Sequence, residues 1–355
     1  MKTRLLYFFI ASVCLSSCLK DDSIYDDKDE TIRINVTDTR LIQTRAYLYD
    51  SYDDILAGQD FSLDAYLTEE DESQYLNDVW VYYFLGNWRF RDVVNDGNLI
   101  DYYWPNGSKV NFLAHIPRDL SKSIVNPQNL HCGNDGVTFS CTLPSVINDR
   151  TSDEREIENS REEFIYAARL NRGKEDGPVH LRFVHPFAAV RFRLMQSHRD
   201  LMINHIKFSD ISTSGVFSDE NDTYEPYQAG ESGQPYLTYE DWKPEGESGE
   251  MQINLSKIVP EDVNYHSAIG GPYLVMPQSL ENVQLSVNYS WDKYPDQESD
   301  KFSIFTDKVT AWQPGMIYTY YLDLGDNREE ILFRVEVEEW IPGEEGEYEN
   351  SFDVN

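Results

Sequence analysis

The stretch Val283-Gln284-Leu285-Ser286-Val287-Asn288-Tyr289 alternates apolar and polar residues without a break. Successive side chains leave a pleated backbone on opposite sides, so a period of two marks a strand with one face buried. The pattern recurs. Val190, Phe192 and Leu194 alternate with Arg191 and Arg193, and Val110, Phe112 and Ala114 with Lys109, Asn111 and Leu113. Ile331, Phe333, Val335 and Val337 alternate with Leu332, Arg334, Glu336 and Glu338. The run Val79-Trp80-Val81-Tyr82-Tyr83-Phe84-Leu85 is apolar on both sides and reads as a central strand covered on each face.

Turn chemistry separates these runs at Asn95-Asp96-Gly97, Pro105-Asn106-Gly107, Gly270-Gly271-Pro272 and Pro314-Gly315. Many short strands so punctuated predict an all-β fold of sandwich type with long loops. Glu154 to Leu170 alone has helical potential, and its Glu-rich first half reads equally as an exposed loop. Asp219 to Gly249 lacks any period and is expected to be a long surface excursion. The polar connector from Gly173 to Pro178, with fresh strands from Val179, places a seam near His185 and divides residues 31–185 from 186–355.

The first residues address the compartment. Lys2 and Arg4 precede an apolar run from Leu5 to about Leu15. That run is shorter than the roughly 20 apolar residues that span a bilayer, and it has the proportions of a signal-peptide core. It closes on Leu15-Ser16-Ser17-Cys18, which looks like a bacterial lipobox. Such a motif implies removal of residues 1–17 and acylation of Cys18; an ordinary signal peptide with a chance cysteine is the plainer alternative. Residues 18–30, with Lys20-Asp21-Asp22 and Asp26-Asp27-Lys28-Asp29-Glu30, resemble a surface-export signal of lipoproteins. The same acidic tether reads as a solvated linker, too polar to fold.

Lysine plus arginine is 30 and aspartate plus glutamate 63, a formal net charge of −33. That balance excludes nucleic acid, whose binding proteins need a cationic footprint. It also disfavours electrostatic adhesion to anionic membranes, leaving a lipid as the anchor. Cys14 lies in the signal segment, so Cys132 and Cys141 are the remaining pair beside Cys18. They flank Gly133-Asn134-Asp135-Gly136, a hairpin signal. A disulfide is permitted in an oxidising envelope, and so is a reduced pair.

No metal or cofactor is expected. Two thiols with His131 fall short of four ligands. Asp219, Asn221 and Asp222 lack the glycine and closing glutamate of a calcium loop. His185 and His115 read as hydrogen-bonded core histidines rather than general bases. Gly-x-Ser-x-Gly elbows, phosphate loops and His-Glu-x-x-His pairs are missing, so no enzyme is expected.

Three groups of residues carry a resemblance. The first runs from Tyr103-Trp104-Pro105-Asn106-Gly107 through Phe112-Leu113-Ala114-His115-Ile116-Pro117. The second joins Glu163-Phe164-Ile165-Tyr166-Ala167 to Phe183-Val184-His185-Pro186-Phe187-Ala188. The third comprises Gly215-Val216-Phe217, Tyr273-Leu274-Val275-Met276-Pro277 and Trp312-Gln313-Pro314-Gly315-Met316-Ile317-Tyr318. In this order, behind a lipobox, they resemble the fimbrillin superfamily, the subunits of type V pili. The resemblance implies two tandem transthyretin-like β-sandwich domains and export as a lipoprotein to the surface of the cell outer membrane. It also implies maturation by an arginine-specific protease: loss of the first strand opens an apolar groove that a strand of the next subunit fills. An incomplete sandwich with an unpaired edge takes up a strand readily, and a head-to-tail contact that does not close propagates into a filament.

On that reading Thr31-Ile32-Arg33-Ile34-Asn35-Val36 is the leading strand and residues 31–45 are removed. Arg45-Ala46 is the first candidate cut, because it lies beyond the strand, and Arg40-Leu41 the second. The plain alternative is an uncut protein with surface arginines. Ile331 to Trp340 can supply a donor strand; if it is locked in its own domain, the chain caps a tip. Expected partners are other pilus subunits, the outer membrane through the lipid, the protease, and a host or bacterial surface ligand. The competing function is a stand-alone surface lipoprotein that binds glycans on exposed Trp88, Trp242 or Trp291.

Overall fold

In the computed structural model of the chain the described residues are 30–36, 60–69, 71–92, 98–149, 163–196, 201–221, 223, 237–259, 267–291, 294–298, 301–323, 332–339 and 351–352. The first half supplies β1 (Ile34–Val36), β2 (Asp60–Leu67), β3 (Gln74–Phe84), β4 (Asn87–Arg91), β5 (Leu99–Ile100), β6 (Val110–Ile116), β7 (Gln128–Gly133), β8 (Gly136–Thr142), β9 (Val146–Asn148), β10 (Ile165–Arg172) and β11 (Val179–Leu181). The second half supplies β12 (Ala188–Gln196), β13 (Leu201–Ile211), β14 (Ser214–Asp219), β15 (Trp242–Pro244), β16 (Gly249–Val259), β17 (Ser267–Val275), β18 (Gln278–Ser279) and β19 (Gln284–Trp291). It continues with β20 (Tyr294–Glu298), β21 (Phe302–Ser303), β22 (Ala311–Trp312), β23 (Met316–Asp323), β24 (Leu332–Glu339) and β25 (Ser351–Phe352). The all-β reading holds.

The first sheet has the order β10-β6-β2-β3-β4-β5. Its inner face carries Phe61, Leu63, Val81, Phe112 and Ala114, and the short β1–β11 pair covers that face with Ile34, Val179 and Leu181. The outer face is covered only in part. Over β6, β2 and β10 it meets a second sheet, β15-β14-β8-β7, and a second core forms from Tyr66, Leu113, Tyr166, Phe139, Phe217 and Trp242. Strand β3 lies one position further out, and Phe84 and Leu85 are 45% and 83% exposed. The expectation that Val79–Leu85 is covered on both faces is therefore corrected: Val79 and Val81 are buried, Trp80, Tyr82 and Tyr83 are half-buried, and Phe84 and Leu85 are exposed.

Two buried faces also explain a second correction. Ile165 and Ala167 enter the first core while Phe164, Tyr166 and Ala168 enter the second. A strand flanked by two cores loses its period of two, so the helical potential from Ile165 to Leu170 gives way to β10, while residues 154–162 of that stretch lie outside the described residues. Of the expected surface excursion from Asp219 to Gly249, residues 222 and 224–236 lie outside the described residues and 243–249 are exposed, but part of it turns inward. Leu237 and Trp242 are buried, and Trp242 opens β15.

A third core fills the space between β17-β12-β23-β24-β25 and β20-β19-β13-β16-β9, with Phe192, Phe208, Val287, Trp312 and Tyr320 at its centre. The halves share strands. β8 pairs with β14 from Val137↔Asp219 to Thr142↔Ser214, and β9 runs parallel to β16. The close approach at Gly136 requires its residue type: φ is +96°, and a Cβ there would lie 2.0 Å from the Asp219 carbonyl oxygen.

Candidate functional site

The leading segment is seated between two pieces of backbone. Alternation turns Ile32 and Ile34 inward, where they are 3% and 4% exposed and join the first core. On one side Ile32 N–H donates to the Tyr102 carbonyl at 2.7 Å, Trp104 N–H donates to the Glu30 carbonyl at 2.8 Å, and Thr31 bridges Tyr103. On the other side Ile34, Asn35 and Val36 pair in parallel with Val179, His180 and Leu181, and Val179 N–H donates to the Arg33 carbonyl at 2.8 Å. The Lys174–Glu30 ion pair at 3.8 Å is solvent-exposed and contributes little.

Without residues 30–36, backbone groups of 102–104 and of β11 would lose these partners. An apolar slot would remain, lined by Tyr102, Trp104, Val179 and Leu181. The slot residues were not foreseen as a set. Trp104 and the small strand Val179-His180-Leu181 are visible in the sequence, but nothing local pairs them with Ile34. Cys18, Arg40 and Arg45 lie outside the described residues.

The expected donor strand is engaged. β24 pairs with β23 along its whole length, from Met316↔Glu339 to Asp323↔Leu332. Val335 is fully buried in the third core, with Phe333 and Val337 packed against it. Glu338 pairs with Arg191, and Glu336 with Arg334 and the Tyr321 hydroxyl.

The other sequence candidates resolve individually. Cys132 and Cys141 are buried and not joined in a disulfide. The hairpin register sets Cys132 opposite Val137, so Cys141 lies four residues further along β8. That is about 13 Å at strand rise, beyond the roughly 4.4–6.8 Å between Cα atoms that a disulfide spans. The allowed disulfide thus gives way to two thiols in the second core, and burial pushes the Cys141 thiol up to about 12.

His185 is a core histidine, its Nδ1 2.8 Å from the Glu163 carboxylate, and His115 Nδ1–H donates to the Pro117 carbonyl at 3.0 Å. Asp219 accepts from the Tyr166 hydroxyl at 2.8 Å and from Asn221 at 2.9 and 3.0 Å, so its oxygens already have protein partners. Burial raises its carboxyl above the ordinary range.

The glycan candidates require correction. Trp242 is 4% exposed, its indole N–H donates to the Pro186 carbonyl at 2.7 Å, and its ring packs on Phe139, Phe187 and Phe217. Trp88 packs on Phe61 and Tyr83 against the first core. The side chain of Trp291 lies outside the described residues. Exposed aromatics among the described residues are instead Tyr75, Phe84, Tyr103 and Phe305.

Residues 44–340 match the family model described as fimbrillin-like. The chain is similar to a fimbrial protein from Bacteroides vulgatus at 14% identity, covering 87% of this chain and 99% of that one, with a TM-score of 0.47. It is also similar to the tip fimbrial protein Mfa3 from Porphyromonas gingivalis with C-terminal truncation: 10% identity, 80% of this chain and 95% of that one, TM-score 0.36. No curated protein sequence matches the chain.

Proposed function

The chain belongs to the fimbrillin-like family, and on that footing we propose that it is a structural or adhesive subunit of a cell-surface fimbrium. In this reading residues 1–17 are a signal peptide, Cys18 carries the lipid that holds the chain at the outer membrane, and residues 18–30 are the tether. Residues 31–45 are released by an arginine-specific protease that cuts after Arg45 or Arg40. The sandwich domains 31–185 and 186–355 are joined by the β8–β14 ladder.

The observation that carries the proposal is the seating of residues 30–36. Two buried isoleucines and a three-residue parallel pairing fill a gap between 102–104 and β11. So short a strand is a modest plug. A longer strand with aliphatic side chains at every second position would satisfy the same backbone groups and bury more apolar surface. The engagement of β24 in its own sheet supports a place at the end of a fibre, as a tip, over the stalk.

The test is uptake of a labelled peptide with the sequence of residues 30–36, present in excess, by the purified chain after treatment with an arginine-specific protease. The cut chain, starting at Ala46 or Leu41, is expected to bind the peptide. The intact chain and an Arg40→Ala/Arg45→Ala variant are expected not to. A cut chain that takes up no peptide contradicts the reading.

A further inference from the structure

The backbone that holds one side of the leading segment runs into the single Asn-Gly pair of the chain, Asn106-Gly107. The pair lies in the connection from β5 to β6, which is pinned on both sides. Upstream, the Tyr102 carbonyl accepts from Ile32 N–H, and Trp104 N–H donates to the Glu30 carbonyl. The Trp104 ring stands edge-on to Phe112, with centroids 5.7 Å apart. Downstream, the Ser108 hydroxyl donates to the Glu69 carboxylate, and Thr68 N–H donates to the Lys109 carbonyl at 3.0 Å. Between these anchors Asn106 and Gly107 are exposed, φ of Gly107 is +83°, and a Cβ built there meets no atom within 4 Å. Two neighbouring asparagines are held by their amides: Asn111 donates to Asn134 at 3.1 Å, and Asn134 to the Thr68 carbonyl at 3.3 Å. Among the described residues no hydrogen bond holds the Asn106 amide.

An exposed asparagine in front of glycine is open to attack by its own backbone. Glycine has no Cβ to block the approach, and it reaches dihedrals that other residues avoid. Water takes the proton of Gly107 N–H, the nitrogen bonds to the Asn106 carboxamide carbon, and the bond to the side-chain nitrogen breaks, releasing ammonia. A second water opens the five-membered imide at one of its two carbonyls. Opening at one carbonyl leaves aspartate at 106. Opening at the other routes the main chain through the side chain as isoaspartate, one methylene longer. From this geometry we infer that Asn106 is a site of spontaneous deamidation, and that its isoaspartyl product loosens the seat of the leading segment. The added methylene enters two residues from Trp104. A connection pinned on both sides cannot absorb it, so the extra length displaces the anchors, the Trp104–Glu30 bond at the exposed rim among them. The inference uses the seating of residues 30–36 and requires no cut.

The test ages the full chain, solubilised in mild detergent, in warm and mildly alkaline buffer, and follows it by peptide mass mapping and amide hydrogen exchange. The peptide containing Asn106 is expected to gain the mass difference between an amide and an acid. It is expected to split into two chromatographic forms, one of them a substrate for an isoaspartate-specific methyltransferase. Peptides containing Asn111 and Asn134 are expected to stay unchanged. In the aged chain residues 30–36 are expected to exchange about tenfold faster, the scale of one lost hydrogen bond. Asn106→Gln, a change at an exposed position, is expected to age with neither effect. An Asn106 amide that survives ageing in the folded chain overturns the inference. So does full modification with exchange at residues 30–36 unchanged, or exchange that speeds up equally in aged Asn106→Gln.

Discussion

Ile34 stands opposite Val179 in parallel register, the two side chains 4% and 0% exposed, and this pair joins the leading segment to the rest of the first core. Truncating Ile34 to alanine removes buried methyl groups from a packed site and is expected to cost the intact chain about 2–5 kcal/mol. Asn35, the next residue, faces solvent, and Asn35→Ala is expected to stay within about 0.5 kcal/mol. Chemical denaturation of the two variants measures the difference. Equal, small effects would mean that the segment does not plug the core.

Gly136 holds the contact between the halves. Its Cβ-free backbone passes the Asp219 carbonyl and the Glu220 Cα at distances that no side chain tolerates, with φ at +96°. Gly136→Ala is expected to destabilise by about 2 kcal/mol or more, through backbone strain and separation of β8 from β14. A single melting transition that moves down as a whole would confirm that the halves unfold together. A variant as stable as the parent would place the contact elsewhere.

The thiols give a chemical readout of the β7–β8 register. In a chain with Cys14 and Cys18 replaced by serine, Cys132 and Cys141 are expected to resist maleimide near neutral pH while folded. Both are buried, and the Cys141 thiolate is suppressed by desolvation, its pKa near 12. In denaturant without reductant both should react. If neither reacts there, a disulfide has formed and the hairpin register is different.

His115 couples stability to pH. Burial holds its imidazole below the usual value of 6.5, against the opposing pull of the Pro117 carbonyl and Asp64. Below 6.5, and down to the depressed native value, the unfolded chain binds a proton that the native chain refuses. Stability therefore falls as pH falls through that window, by at most about 1.4 kcal/mol per pH unit for one proton. The neighbouring Asp64 carboxyl is raised by its own burial and works in the opposite direction, from its native value down to 3.8. Urea midpoints just below pH 6.5 are expected to decline less in His115→Asn than in the parent. Parallel declines would exclude His115 as the titrating group.

Strands with one wet face were legible residue by residue. Leu285, Val287 and Tyr289 point into the third core as their alternation requires, and Phe333, Val335 and Val337 do the same in β24. Strands with two dry faces were not. Phe164 to Ala168 serves two cores at once, and a sequence pattern records only whether a residue is apolar, never which layer it meets. Val79–Leu85 failed in the opposite way: its outer aromatics look like core until their neighbours Arg89 and Arg91 are placed across the ladder.

The slot was half legible. Ile32 and Ile34 announced a strand, but its partners lie some seventy and one hundred and forty-five residues away, at Tyr102 and Val179. Long-range pairing of that kind leaves no local mark. The disulfide was weighed from a turn signal that located the hairpin correctly and left the register open, and register decides which side chains face each other.

In the proposed reading the leading segment is a removable plug. Its most direct test is an immunoblot of material sheared from the surface of cells that express the chain, run unboiled and boiled, with the N-terminus of the main band sequenced. A removable plug predicts high-mass species that collapse on boiling to a band starting at Ala46 or Leu41. A monomeric band still starting at Cys18 in both lanes would contradict it.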